Sequence, residues 1–441
     1  MRYAINQNYS IVFNQFVNRR SNYLSGSAID GILHSLTPNA MEKLLTPVVV
    51  AALIGLVHAA PSSDGGTRAF QVDDADARLT VPQLIQKYNY PVEVHHTTTE
   101  DGYELELHRI PSLPGSPVVF LMHGLLCSSA DWVIIGTNNA LAYLLADLGY
   151  DVWMGNARGN RYSRRHVSLT PKMHAFWQFS WHEIGYYDLP AMLDYTLNQT
   201  NQSKLHYIGH SQGTTSFFVM ASTRPEYNEK IHLMQALAPV AFTEHVRSPL
   251  LRVMSRFQNS LTALFDIFGV GEFLPNRAIL NEIAELLCSK SVHWNLCLNV
   301  IFQIAGADPE QVELQSVPIL IGHSPAGAST KQVVHFAQGM RSHRFQQYDF
   351  GKIKNLAVYG MAQPPEYNVS DISAPVVLYY GTNDYLAEAR DVQRLSGMIR
   401  NLAGCKQMEV STFNHLDFLI AKDVKSLLYD DVIRRIQEWV D

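Results

Sequence analysis

Leu205-His206-Tyr207-Ile208-Gly209-His210-Ser211-Gln212-Gly213 is the stretch whose reading decides the fold. Residues 205–208 form a short β-rich run, and the apolar residues of 214–221 continue as a helix, so the Gly-His-Ser-Gln-Gly segment joins strand to helix. A turn this sharp pushes the serine hydroxyl out at the sheet edge. Gly209 and Gly213 remove the Cβ atoms that would clash there. The Gln212 N–H then lies at a helix start, where it can stabilise an oxyanion with help from the helix dipole. Ser211 is therefore the expected nucleophile, with an ordinary glycine turn as the plain alternative. A similar segment, Gly322-His323-Ser324-Pro325-Ala326, follows the strand-like run 319–321. There Pro325 has no N–H to offer and Ala326 replaces the second glycine, so Ser324 is expected in a turn or a pocket wall.

A serine hydroxyl is a weak nucleophile, so a base and an acid that orients it must follow, in the order serine, acid, histidine for this architecture. Asp384, in Gly381-Thr382-Asn383-Asp384, comes directly after the apolar run 376–380 and reaches the same sheet edge as Ser211, unless it is a plain Asn-Asp surface turn. Of 18 histidines, His415 follows the β-rich run 408–412 and precedes a terminal helix ending near Val440, which is where the base belongs. His335 and His343 fall in a helical block, and His210 is the variable residue of the elbow itself. Asp417 is the rival acid, but so close to His415 it is better placed to fix the backbone. The second oxyanion donor is expected from Met122-His123-Gly124-Leu125-Leu126, through the N–H of Leu125.

Working outward, residues 118–122 (VVFLM), 151–154 (DVWM), 205–208 (LHYI) and 376–380 (VVLYY) are short apolar runs of the kind buried on both faces of a parallel sheet. Helical stretches such as 139–147 and 189–197 lie between them, so the fold class is α/β with a mostly parallel, doubly wound sheet. Residues 242–367 break the rhythm with helical periodicity, for example 280–287 and 292–304. This block reads as a helical cap inserted between the fourth and fifth strands. The core is then divided into 60–241 and 368–441.

At the N-terminus, Met41 is followed by Lys43, an apolar run over 48–57 and Val57-His58-Ala59-Ala60. That is the pattern of a signal peptide over 41–59 cut after Ala59, with residues 1–40 as an upstream extension expected to be unstructured. The run is too short to span a membrane, which takes about 20 apolar residues. The secretory pathway is the expected destination, and the sequons at Asn198, Asn201 and Asn368 become expected glycan acceptors. With 47% hydrophobic and 17% charged residues the chain can bury a large core. Its net charge of −6 and the lack of a long basic run argue against nucleic acid as a partner. Four cysteines without a C-x-x-C pair or a His/Cys cluster support neither a disulfide scaffold nor a metal site.

Further stretches sharpen the reading: Thr99 to Tyr103 with Arg109-Ile110-Pro111, His123 to Leu126, Gly155 to Asn160, Tyr187 to Pro190, Gly209 to Gly213, Ser324 to Gly327, Asn383-Asp384 and Asn414 to Phe418. With these, the chain from about residue 84 to 440 resembles the acid lipases, the group containing gastric lipase, lysosomal acid lipase and many insect digestive lipases. The resemblance implies an α/β-hydrolase fold with a cap and mobile lid. It also implies Ser211, Asp384 and His415 as the triad and Leu125 and Gln212 as the oxyanion hole. By the same resemblance Cys288 and Cys297 form a cap disulfide, Cys127 and Cys405 fall outside the family pattern, and Ser324 belongs to the cap. A secreted (digestive-lumen) or lysosomal enzyme acting on neutral lipid at an oil–water interface follows, triacylglycerol first and sterol or retinyl esters next, with no cofactor. Two rivals stand beside it: a carboxylesterase of small soluble esters, and a non-catalytic lipid carrier, which would be expected to lose a triad member.

Overall fold

Strands that are apolar at every position have no solvent face, and those of this chain form the centre of the sheet. The structure is a computed structural model that describes residues 75–439, apart from 259–264, 266–268, 275–293 and 314–315. The expected leader, the upstream extension and the helical stretch 280–287 lie outside the described residues. Among the described residues the main sheet has nine strands, one of only two residues and eight longer ones: β1 (Glu93–Thr98), β2 (Tyr103–Ile110), β3 (Val118–Met122), β4 (Asp151–Gly155), β5 (Leu205–His210), β6 (Ile231–Leu237), β7 (Val376–Tyr380) and β8 (Leu402–Gln407). Their order is β1-β2-β4-β3-β5-β6-β7-β8, with the two-residue strand Arg165–His166 paired to β2. β2 runs antiparallel to both β1 and β4, and every pairing from β4 to β8 is parallel.

β3, β4, β5 and β7 are buried at every residue, and alternate side chains feed two cores. Phe120, Trp153, Tyr207 and Leu378 face one core, with the helices Leu189–Thr200 and Gln212–Thr223. Val119, Val152, Ile208 and Val377 face the other, with the helices Leu141–Asp147 and Asp430–Glu438. The parallel strands leave the four loops after β3, β5, β7 and β8 on one edge of the sheet, where Leu125, Ser211, Asp384 and His415 are carried.

Three expectations are corrected. The helical insertion lies between the sixth and seventh strands, because β1 and β2 precede the first apolar run and β6 follows the elbow helix. Residues 319–321 are not a strand but part of the helix Val317–His323; a short apolar run has no period that tells the two apart. Residues 408–412 are loop, since the last strand ends at Gln407. Within the insertion the helices Pro249–Arg256, Trp294–Ala305, Val317–His323, Thr330–Ser342 and Lys352–Tyr359 are described.

Arg158 fixes the loop after β4. Its guanidinium is buried between two carboxylates, with Nε donating to Asp188 Oδ1 at 2.7 Å and Nη1 and Nη2 to Asp101 at 2.6 and 2.8 Å. It also lies 4.0 Å from the ring centre of Tyr103. Burial disfavours the charge, but Asp188 and Asp101 outweigh it and hold the group protonated. The same loop supplies Ala157 N–H and Asn160 Nδ2, both donating to His123 Nε2 at 3.1 and 3.2 Å. Arg158→Met should therefore cost about 3–5 kcal/mol, because it leaves two carboxylates without their cation. Urea unfolding of the purified variant against the parent measures the loss.

Candidate active site

Ser211 begins the helix Gln212–Thr223 with φ +52° and ψ −120°, a backbone conformation that costs a non-glycine residue about 1–3 kcal/mol. The surroundings enforce it. Ser211 N–H donates to Leu237 O on β6 at 3.0 Å, and Thr214 donates to Ser211 O through both its N–H (2.9 Å) and its hydroxyl (2.6 Å). The β3 loop packs tightly on the elbow: a Cβ on Gly213 would lie 2.3 Å from Met122 O, and one on Gly124 would lie 3.1 Å from Ser211 Cβ. Leu125, the expected second oxyanion donor, follows Gly124 in the chain. The Gln212 N–H, in the first helical turn, has no intrahelical acceptor.

The structure brings Ser211, His415 and Asp384 together. Ser211 Oγ lies 2.8 Å from His415 Nε2, and His415 Nδ1 lies 2.8 and 3.0 Å from the Asp384 carboxylate oxygens. Asp384 is fully buried, and its Oδ1 also accepts the N–H groups of Leu386 and Ala387, each at 2.8 Å. These bonds aim the carboxylate at Nδ1, so the Nδ1 proton is shared with Asp384 and Nε2 is left to accept from the serine hydroxyl.

Asp417 points elsewhere. Its Oδ2 accepts the Asn414 N–H at 2.6 Å, and the Asn414 side chain in turn accepts from Leu416 and Asp417 N–H. Burial, against the opposing Asn414 bond and aided by Asp308, pushes the Asp417 carboxyl up to about 8. Ser324 caps the helix Val317–His323, with its hydroxyl 4.0 Å from Cys127 Sγ, and is not bonded to any histidine among the described residues. The neighbouring Ala326 N–H donates to Leu126 O, which props the β3 loop.

Two histidines have roles that the sequence did not disclose. His210 Nε2 donates to the main-chain carbonyl of His415 at 2.9 Å. His123 donates from Nδ1 to Gly124 O at 2.7 Å and accepts at Nε2 from the Arg158 loop, so it is a neutral brace for the oxyanion turn. Burial, opposed by the Gly124 bond, lowers its pKa to about 4. A Gly-His-Ser or His-Gly dipeptide is a visible signal, but the partners are remote in sequence. The Gln212 side-chain oxygen, in contrast, accepts from Gln332 Nε2 of the helix Thr330–Ser342 at 3.2 Å.

Cys127 and Cys405 are unpaired, as expected. Cys288 lies outside the described residues, and so does its pairing with Cys297. Asn198, Asn201 and Asn368 are exposed, although Asn198 sits in the last turn of a helix and not in a loop. Glu244, His245 and Asp391 offer ligand atoms within 4.8 Å of one another, but Arg394 and His343 already face Glu244 and make this an ion-pair cluster.

A nucleophile elbow, a histidine and a buried carboxylate on the carboxyl edge of such a sheet define the class: an α/β-hydrolase with a serine nucleophile site. Residues 117–420 match the alpha/beta hydrolase fold family, and residues 81–136 match a partial alpha/beta-hydrolase lipase region. The chain is 47% identical to Lipase 1 of Drosophila melanogaster, covering 80% of this chain and 79% of that one. It is 39% identical to gastric triacylglycerol lipase of Rattus norvegicus (82% and 93% covered) and 36% identical to human Lipase member K (83% and 92%). A solved structure from Sulfolobus solfataricus shares the fold alone, at 12% identity and a TM-score of 0.54, covering 79% of this chain and 94% of that one. The chain thus belongs to the acid lipase family of α/β-hydrolases, and it is a lipase, a carboxylic ester hydrolase. No helix among the described residues is long and apolar enough to cross a membrane.

The raised Asp417 gives a signed pH dependence. The folded protein holds this proton up to about pH 8, whereas an unfolded aspartate releases it near 3.8. Its contribution to stability is thus fully present below the unfolded value and is lost as pH rises toward 8. Asp417→Asn, which mimics the protonated carboxyl, should flatten the fall in melting temperature between pH 4 and 8. Differential scanning calorimetry across that range reads the slope, and an unchanged slope would show that Asp417 does not set it.

Proposed function

We propose that this chain hydrolyses the ester bonds of neutral lipids, triacylglycerol first and sterol esters next, through an acyl-enzyme on Ser211. The observation that carries this reading is the unbroken hydrogen-bonded row from Ser211 to His415 to Asp384 in a chain of the lipase family. His415 Nε2 takes the serine proton as Oγ bonds to the ester carbonyl carbon, and the N–H groups of Leu125 and Gln212 hold the oxyanion. Collapse of the tetrahedral intermediate breaks the ester C–O bond, and His415 returns the proton to the leaving alcohol. Water, deprotonated by His415, then attacks the acyl carbon and releases the fatty acid and Ser211. Asp384 steadies the imidazolium in both halves. The helices of the insertion over this edge, rich in Leu, Ile and Phe, suit an acyl chain and an oil–water interface.

Ser211→Ala should lower kcat by about 10⁶-fold and abolish labelling by a fluorophosphonate, whereas Ser324→Ala should stay within about tenfold of the parent. Gln212→Ala keeps its N–H and should lose far less turnover than Asp384→Ala or His415→Ala. Rates on emulsified triacylglycerol, a sterol ester and a short soluble ester, across pH 4 to 8, check the substrate. A soluble-ester hydrolase would show no rise in rate as substrate passes its solubility limit.

Entry into the secretory pathway, toward an extracellular or lysosomal destination, is part of the same reading. The leader pattern over 41–59 and the exposed sequons support it. Expressed in secretory cells, the mature chain should begin at Ala60 and lose mass on treatment with an N-glycosidase. Peptide mapping without reduction should find Cys288 joined to Cys297; a leader retained on the purified protein or four free thiols would contradict it.

A further inference from the structure

The helical insertion does more than lie over the sheet edge: near its start and again in its middle, it holds the loop that carries Asp384. On the way out, Arg247 N–H donates to Tyr385 O at 2.8 Å, and its Nη2 donates to the carbonyls of Thr382 (2.6 Å) and Asp384 (3.1 Å). Its guanidinium also lies 4.7 Å from the centre of the Tyr385 ring. In the middle of the insertion, at the end of the helix Trp294–Ala305, the buried Ala305 carbonyl accepts two N–H groups, from Tyr385 and from His415, each at 3.2 Å. One acceptor thus ties the residue after the acid to the base itself.

The next three residues extend the grip. Gly306, at φ +107°, passes so close to the acid loop that a Cβ there would lie 2.0 Å from Asn383 O and 3.1 Å from Asn414 Cβ. Ala307 O accepts Asn383 Nδ2 at 2.7 Å, and the same amide donates to Thr412 O at 2.9 Å. Asp308, fully buried, accepts the Thr412 hydroxyl at 2.9 Å. Residues 305–308 therefore sit between the Asp384 loop and the His415 loop and bond to both.

We propose that residues 305–308 are a positioning element that sets the spacing of Asp384 and His415, so that the insertion and the triad move as one unit. The proposal rests on the triad reading above. These residues act through the acid and base loops, by main-chain bonds to Tyr385 and His415 and side-chain bonds to Asn383 and Thr412. Misplacing a reacting group by about 1 Å costs on the order of a hundredfold in rate, and this turn is what holds the two loops apart at their present distance.

The test uses the full chain and a short soluble ester, so that interfacial binding does not enter. Gly306→Ala forces the turn away from Asn383, and Asn383→Ala removes the bridge to Ala307 and Thr412 without adding bulk. Each variant should lose about ten- to a hundredfold in kcat with KM unchanged. Each should also lose the low-field proton resonance of the His415–Asp384 hydrogen bond, a signature that altered packing elsewhere would not erase. If Gly306→Ala does not fold, Asn383→Ala alone decides the matter. Variants that fold, keep kcat within twofold and keep the resonance, while Ser211→Ala is inactive, overturn the proposal and leave the triad standing. Activity that survives Ser211→Ala overturns the triad and the proposal with it.

Discussion

One imidazole must face a serine and a carboxylate at once, and the rest of this molecule is arranged around that requirement. His415 is held at four points: Nε2 by Ser211, Nδ1 by Asp384, its carbonyl by His210 and its N–H by Ala305. These partners come from the elbow, the loop after β7 and the end of a helix in the insertion. Pinning the main chain on both sides leaves the ring few ways to turn, so the entropy of orientation is met in folding and not at the moment of reaction.

The supports of the site are buried and polar, which is costly unless every group finds a partner. Arg158 lies between two carboxylates, His123 uses both ring nitrogens, and Asp384 accepts two backbone N–H groups besides the imidazole. Each of these networks ends on a loop at the carboxyl edge of the sheet. The strain of Ser211 is kept by the same means, through Leu237 on one side and Thr214 on the other.

The parts of the fold legible in the sequence were those with no solvent face. β3 and β7 are apolar throughout, and their observed limits are those of the runs VVFLM and VVLYY. The strands missed are of other kinds. β1, Glu93-Val-His-His-Thr-Thr, and β8, Leu-Ala-Gly-Cys-Lys-Gln, lie at the two edges of the sheet and carry polar residues; β2 alternates apolar and polar residues, and β6, though central and mostly buried, is interrupted by His232 and Gln235. Hydropathy alone scarcely separates such polar strands from loops, so the run expected before the histidine, 408–412, begins six residues after the start of the observed strand, and the strands ahead of the insertion are undercounted.

By itself the sequence determined the chemistry available: a serine between two glycines where a strand becomes a helix, an aspartate just past an apolar strand, and a histidine before the last helix. Those are local matters, settled by backbone sterics and by the period of apolar residues. The sequence favours Asp384 over Asp417 as the partner of His415, but the bond itself was decided by tertiary structure, because it depends on β7 and β8 lying side by side and on Asn414 occupying the nearer carboxylate. So were the His210 and Ala305 bonds that fix His415, which join residues 205 and 110 positions apart in the chain. A hydrogen bond between such distant residues exists only once the sheet order and the path of the insertion have brought them together, and no local pattern encodes that distance.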